Sequence, residues 1–343
     1  VKKLLNTLYI ASPEKYLSLD GETVVVKEDG QGDIHVPLLN LEAIVSFGWR
    51  GASPALMKAC ADRHIGLVFL SVSGRFLGRV VGGNYGNVLL RKKQYALSEM
   101  EGESVKIARN CILGKVYNSR WVLERAVRDH ELRVDAPRIK GVSATLRQSL
   151  PFIASAESLD TLRGYEGEAA SRYFSVFDEL ILQQEEDFQF RGRNRRPPLD
   201  NTNALLSFAY TLLTQMTAGA LEAVGLDPYV GFFHQDRPGR TSLALDMIEE
   251  LRPVMVDRFV LSLINKKMVT GQGFRKKENG AVIMDDETRN QVLGEWQNKK
   301  QKIITHPYLQ EKVQWGMVPY VQALLLARYL RGDLDAYPPF FWK

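Results

Sequence analysis

The stretch PYVGFFHQDRPGRTSLALDMIEELRPVMVD, residues 228–257, sets polar chemistry between an apolar run and a helical one, and the rest of the chain is read around it. His234 follows PYVGFF and therefore leaves the edge of a buried element, while the DRPGR segment after it, with Pro238 and Gly239, is surface-turn sequence. Thr241 or Ser242 is placed to cap a helix running through Leu251, because Leu243, Ala244, Met247, Ile248 and Leu251 recur at helical spacing. Asp246, Glu249 and Glu250 then share the opposite face. At about 100° per residue Asp246 and Glu249 lie about 60° apart, with Glu250 nearer the apolar edge. One imidazole and several carboxylates, with Arg237 and Arg240 in the connecting loop, are the groups of a divalent-metal site beside an anionic substrate. The same pattern also fits a solvated acidic face and a core histidine, and spacing alone does not separate these readings.

Two other stretches carry unusual residues. In LRGYEGEAASRYF, residues 162–174, Glu166 stands between Gly164 and Gly167 on a helix opened by Ser158. Glycine costs up to about 1 kcal/mol in a helix interior, so the pair asks for a reason such as close approach of a neighbouring backbone or a substrate. The segment FRGRNRRPP, residues 190–198, is a basic loop whose Arg191, Arg193, Arg195 and Arg196 suit bidentate phosphate contacts. It runs into RPPLDNTNALLSFAYTLL, residues 196–213, where a nearly all-apolar helix from Asn201 must be buried on most sides.

These three motifs, in this order and behind a strand-rich amino-terminal region, resemble the CRISPR-associated adaptation integrase family, the universal endonuclease subunit of spacer acquisition. The closeness of the 196–213 segment and of GFFHQDRPGRTSLALDMIEELRP points to its type I-C branch. The resemblance covers essentially the whole chain. It implies that Glu166, His234 and Glu249 hold one divalent metal, Mg²⁺ or Mn²⁺, with Asp246 an adjacent acidic residue that orients the site. It further implies a metal-dependent DNA endonuclease and integrase acting on double-stranded and branched DNA, as a homodimer, with a small ferredoxin-fold partner protein. A DNA-binding protein without chemistry and a metal hydrolase of a small phosphorylated substrate are the competing expectations.

The fold class expected is α+β, an amino-terminal β-rich dimerisation domain at 1–86 followed by a larger all-helical catalytic domain at 87–343. Asp20-Gly21 between Tyr16–Leu19 and Thr23–Val26 predicts a type I′ hairpin. Further strands are expected at Asp33–Leu38, Ala43–Phe47, Gly66–Ser71 and Phe76–Val81. Ser53-Pro54 opens one short helix among them. His35 and His64 are expected to be structural. Helices are expected from Ser104 to His130, before Pro151, around Val256–Lys267 and over 288–332. Lys106, Arg109, Lys115, Arg120, Arg125 and Arg128 along the first of these are spaced to track phosphates, although Glu124, Asp129 and Glu131 intervene. His306 is expected at a helix end, and the tail AYPPFFWK either pins the terminus or offers a partner-binding strip.

Composition is permissive. With 343 residues, 45% hydrophobic and 25% charged, the chain is globular in type, and a net charge of +5 favours anionic partners without demanding them. Two cysteines, Cys60 and Cys111, are too few for a disulfide framework or a cysteine zinc site, so a reduced, cytoplasmic setting is expected. The start VKKLLNTLYIAS has a signal-like look, but Asn6 breaks its apolar run, and no membrane span is expected.

Overall fold

The computed structural model describes residues 6–72, 74–82 and 88–343. The first five residues and the expected boundary at 86, with most of its Gly-rich segment, lie outside them.

The amino-terminal part holds two sheets. Strands β1 (Asn6–Ile10), β5 (Leu41–Phe47), β6 (Gly66–Leu70) and β7 (Phe76–Val80) form one in the order β1-β5-β6-β7. Pairing in it is parallel except for the antiparallel β6–β7 pair. The other is an antiparallel sheet of β2 (Tyr16–Asp20), β3 (Thr23–Lys27) and β4 (Ile34–Pro37). The parallel β5–β6 pair needs a crossover, which α1 (Pro54–Asp62) supplies. Ser53 caps α1 by accepting the Leu56 N–H at 3.2 Å. Strand β1 was not anticipated from its sequence. The β2–β3 hairpin closes one residue later than expected: Asp20 pairs with Thr23 and the two-residue loop is Gly21-Glu22. Only Gly21 has positive φ (53°), which excludes type I′, since that turn needs both central residues there. His35 sits exposed on β4, and His64 follows α1 with φ 55°.

Alternation along β5 and β6 decides how this part docks. Ile44 and Leu67 point into a core shared with the small sheet and α1. Val45, Phe47, Val68 and Leu70 point the other way, into the core of the helical part. The larger sheet is thus covered on both faces, as its parallel strands require. Phe47 stacks on Phe208 at 5.7 Å, and the Lys300 ammonium meets Glu42 at 2.8 Å.

The helical part begins with α2 (Val88–Ser98) and α3 (Glu101–His130). Helix α3 packs against α4 (Ala136–Ala154), α5 (Leu159–Phe174) and α7 (Ser242–Glu249). Helix α4 carries Pro151 in its last turn instead of ending before it. Ser158 accepts the Thr161 N–H at 3.2 Å to cap α5, and Asp200 accepts the Asn203 N–H at 2.7 Å to cap α6 (Asn201–Ala223). By length and composition α6 could cross a membrane, yet 61% of its most apolar window is buried inside the fold, the surroundings of a core helix. Among the described residues no other helix is long and apolar enough to do so.

The expectation of an all-helical second part needs correcting. Two short hairpins interrupt it, β8 (Phe274–Lys276) with β9 (Val282–Met284), and β10 (Ile303–Thr305) with β11 (Lys312–Gln314). They flank α9 (Asp286–Gln301) and precede α10 (Val318–Arg331). Helix α7 ends at Glu249 and the chain continues through a π-helical turn at Arg252–Asp257, where Pro253 supplies no N–H, into α8 (Arg258–Asn265). His306 is buried in the β10–β11 turn and not at a helix end.

Candidate active site and its arginine-lined cleft

Asp246, Glu249 and Glu250 are 0%, 2% and 0% exposed, so the solvated acidic face is excluded. Each buried carboxylate has a different set of partners, which assigns it a different task.

Asp246 organises the loop before it. Its Oδ2 accepts the backbone N–H groups of Phe232 (2.6 Å) and Phe233 (3.0 Å). Its Oδ1 accepts the N–H of His234 (2.9 Å) and lies 2.7 Å from His234 Nδ1. A carboxylate only accepts, so Nδ1 carries the ring proton and Nε2 is left as the ring's basic nitrogen. The PYVGFF run is therefore a loop wrapped on a carboxylate, with no regular secondary structure of its own. Gly231 makes the wrapping possible, because a Cβ there would lie 2.8 Å from Asp246 Oδ2 and 2.9 Å from the Ser242 backbone.

Glu249 faces the other way. Its Oε1 lies 3.0 Å from Arg252 and 3.8 Å from His234 Nε2, and its Oε2 lies 2.8 Å from Lys115 Nζ. Lys115 also pairs with Glu166 on α5. Burial by itself would raise the Glu249 carboxyl, but Arg252 and then Lys115 outweigh it and hold the group below the usual carboxylate range. For Lys115 burial pulls downward, and Glu249 with Glu166 more than compensates, so its pKa ends raised.

Glu250 serves the carboxyl-terminal tail. It accepts hydrogen bonds from Tyr337, from Gln322 Nε2 (2.8 Å) and from the Phe340 N–H (2.6 Å), and burial pushes its pKa up to about 7. His306 Nε2 in turn lies 3.1 Å from Gln322 Oε1. Tyr337 and Phe340 are buried, so the aromatic tail pins the terminus.

Helix α5, α3 and the π-helical turn thus bring Glu166, Lys115 and Arg252 to the floor of a cleft of about 1580 Å³. His234 and Glu249 do not line it; Glu249 contacts Lys115 and Arg252, which do, and His234 lies behind Glu249 at 3.8 Å. Arg191, Arg193, Arg195, Arg196 and Arg240 all line this cleft, whereas Arg237 is exposed outside it. Arg193 is tied down, donating to Asn203 Oδ1 (2.6 Å) and Ser207 Oγ (3.1 Å), so the loop does pack in part. Arg240 has its pKa lowered by burial and then by Arg237, Arg195 and Arg196, which shows one crowded positive field. Gly164 and Gly167 have no atom within 4 Å of a Cβ built on either, so close packing of protein backbone does not explain them. Gly167 opens on the cleft instead.

Among the described residues no three His, Cys, Asp or Glu side chains form a preassembled metal cluster, because Lys115 stands between Glu166 and Glu249. The donor set nevertheless suits a divalent ion. It offers two carboxylates and an imidazole whose basic nitrogen lies 3.8 Å from one of them, Glu249, and Glu249 Oε2 is buried beside Lys115 with no partner in hydrogen-bond geometry. Sequence reasoning named Lys115 only among the α3 residues spaced to track phosphates, and it missed Arg252. Lys115 was legible as an inward residue, since it falls in the Ala108, Cys111, Ile112, Ser119, Val122 stripe of α3.

Comparison with known proteins gives the family of the chain. The family model "CRISPR associated protein Cas1" matches residues 8–298. A CRISPR-associated endonuclease Cas1 of Rhodospirillum rubrum is 52% identical over 347 aligned positions, and one of Chlorobaculum tepidum is 45% identical over 343, each match covering 100% of both chains. A solved structure described as a casposase bound to integration product superposes with a TM-score of 0.84 at 23% identity, covering 98% of this chain and 93% of the other. A Cas6-RT-Cas1–Cas2 complex gives 0.84 at 23% identity over 100% of this chain and 36% of that one. Extent and identity together place this chain in the Cas1 family of CRISPR-associated endonucleases.

Proposed function

We propose that this chain is a divalent-metal-dependent DNA endonuclease and integrase that inserts short duplex segments into a CRISPR array at the leader–repeat junction. The observation carrying this reading is that Glu249, with His234 Nε2 3.8 Å from it, shares Lys115 with Glu166 beside a cleft lined by five of the six arginines of the 190–198 and 235–240 segments, so that two motifs distant in sequence meet. Support also comes from the relatives called endonucleases and from the casposase structure, whose integration product is that protein's own.

In this reading Glu166, His234 and Glu249 hold Mg²⁺ or Mn²⁺. The bound ion supplies Lewis-acid polarisation of a phosphodiester and stabilises charge on the leaving oxygen. The protein's own residues position the reaction. Arg191, Arg195, Arg196 and Arg240 grip backbone phosphates, and the open surface beside Gly167 admits the strand to Glu166. Asp246 holds the His234 ring in one tautomer and one orientation.

The partners we propose are a second copy of the chain and a small ferredoxin-fold protein, the latter supported by the Cas1–Cas2 complex among the structural neighbours. Exposed Ile34, Leu39 (86%) and Trp49 (68%) on the strand-rich part favour that part as the dimer face. The residues 196–213 and 231–253 support the type I-C branch. A gel assay with branched and linear DNA, with Mn²⁺ or EDTA, tests the activity. Cutting and strand joining are expected only with the metal, and folded His234→Ala protein should show neither. DNA binding with no cleavage under any metal would leave a binding protein instead.

A further inference from the structure

The floor of the cleft contains a cation of its own. Lys115 Nζ pairs with Glu166 and lies 2.8 Å from Glu249 Oε2, so one ammonium serves the two carboxylates assigned to the metal. Its side chain is 13% exposed and it borders the cleft. Charge matching is already complete here, with Glu166 and Glu249 facing Lys115 and Arg252. Asp246 is separately saturated by four N–H donors. A divalent ion added to this set would leave a buried excess of positive charge, which is costly without compensation.

One of the two resident cations must therefore yield, and the geometry distinguishes them. Arg252 contacts Glu249 Oε1 at 3.0 Å and lies over the Tyr210 ring at 5.2 Å, within the π-helical turn. Lys115 hangs on a flexible four-carbon stem at the cleft wall.

We propose that Lys115 is an exchangeable counter-ion: its ammonium and the divalent metal compete for Glu166 and Glu249, and the displaced lysine turns into the cleft to contact a DNA phosphate. This rests on the metal-dependent reading above. It makes metal binding and DNA binding mutually reinforcing, because the lysine released by one is a ligand for the other.

Calorimetric titration of Mn²⁺ into wild type, Lys115→Met and Lys115→Gln tests the competition; the Gln variant keeps a hydrogen-bond donor should the Met variant misfold. Both variants should bind Mn²⁺ about tenfold tighter or more, because a like charge has been removed from the site. Fluorescence anisotropy with duplex DNA provides the second readout. Mn²⁺ should raise DNA affinity in wild type and do so less in the variants. Tighter Mn²⁺ binding, or binding by the variants alone, supports the exchange. Wild-type binding that is unchanged or weakened in the folded variants overturns it while leaving the metal site intact. No binding by any of the three proteins overturns the metal reading itself.

Discussion

Asp246→Asn isolates what one buried carboxylate does for the loop that carries His234. Four donors converge on its two oxygens: the N–H groups of Phe232 (2.6 Å), Phe233 (3.0 Å) and His234 (2.9 Å), and His234 Nδ1 (2.7 Å). Asparagine keeps the shape but has one oxygen and one NH₂ group, so in one orientation the Phe232 and Phe233 N–H groups face a donor, and in the other the His234 N–H does while the ring must move its proton to Nε2 to accept. A hydrogen bond to a charged group contributes about 1.5–3 kcal/mol, so removing two, with partial relaxation, should destabilise the loop by about 3–5 kcal/mol. Two measurements test this: urea unfolding followed by tryptophan fluorescence in EDTA, and hydrogen exchange at Phe232, Phe233 and His234. The second detects opening confined to the loop while the core stays folded. Without the Nδ1 anchor, Mn²⁺ binding should also weaken about 10- to 100-fold without being abolished. A change below about 1 kcal/mol by both stability measurements would refute the organising role of Asp246, since that is no more than one ordinary neutral hydrogen bond is worth.

Glu249→Gln, which removes a ligand charge, should abolish Mn²⁺ binding altogether; full-affinity binding there, with none in Asp246→Asn, would reverse the two roles. Replacing Arg191, Arg195 and Arg196 together by alanine should flatten the log–log salt dependence of duplex DNA binding by about 3, at about 0.9 for each phosphate that is no longer neutralised. An unchanged slope removes this loop from the interface. Arg193 is left in place because it holds Asn203 and Ser207. Burial pushes the Asp257 carboxyl from 3.8 up to about 6 although Tyr210 donates to it. The folded state thus keeps the Asp257 proton longer than the unfolded one, and this group's contribution to stability falls as pH rises through that window. The stability of Asp257→Asn relative to wild type should accordingly improve by about 2 kcal/mol between pH 4.5 and 7 in urea titrations, and a pH-independent difference would contradict the assignment. Sedimentation at micromolar concentration should give about twice the chain mass, and a strict monomer under active conditions would exclude the dimer.

Most local structure was legible in the sequence, because local signals are short-range. Ser53 and Ser158 each cap the helix they precede, and the apolar sequence of α6 requires burial. The three motifs also identified the residues around which a site could form. Their partners were decided by tertiary structure. Periodicity put Asp246, Glu249 and Glu250 on a face away from the α7 stripe, and a sequence cannot say that α3, the 228–240 loop and the carboxyl-terminal tail close over that face. The three acids then diverge by contact alone. Asp246 holds the loop, Glu249 faces Lys115, and Glu250 anchors residues 337–340. Lys115 shows the same limit from the other side. Its place in the apolar stripe of α3 fixed that it points inward, but two glutamates from distant helices decided what it meets there. Contacts between groups far apart in sequence depend on packing and burial, and those exist only once the chain has folded.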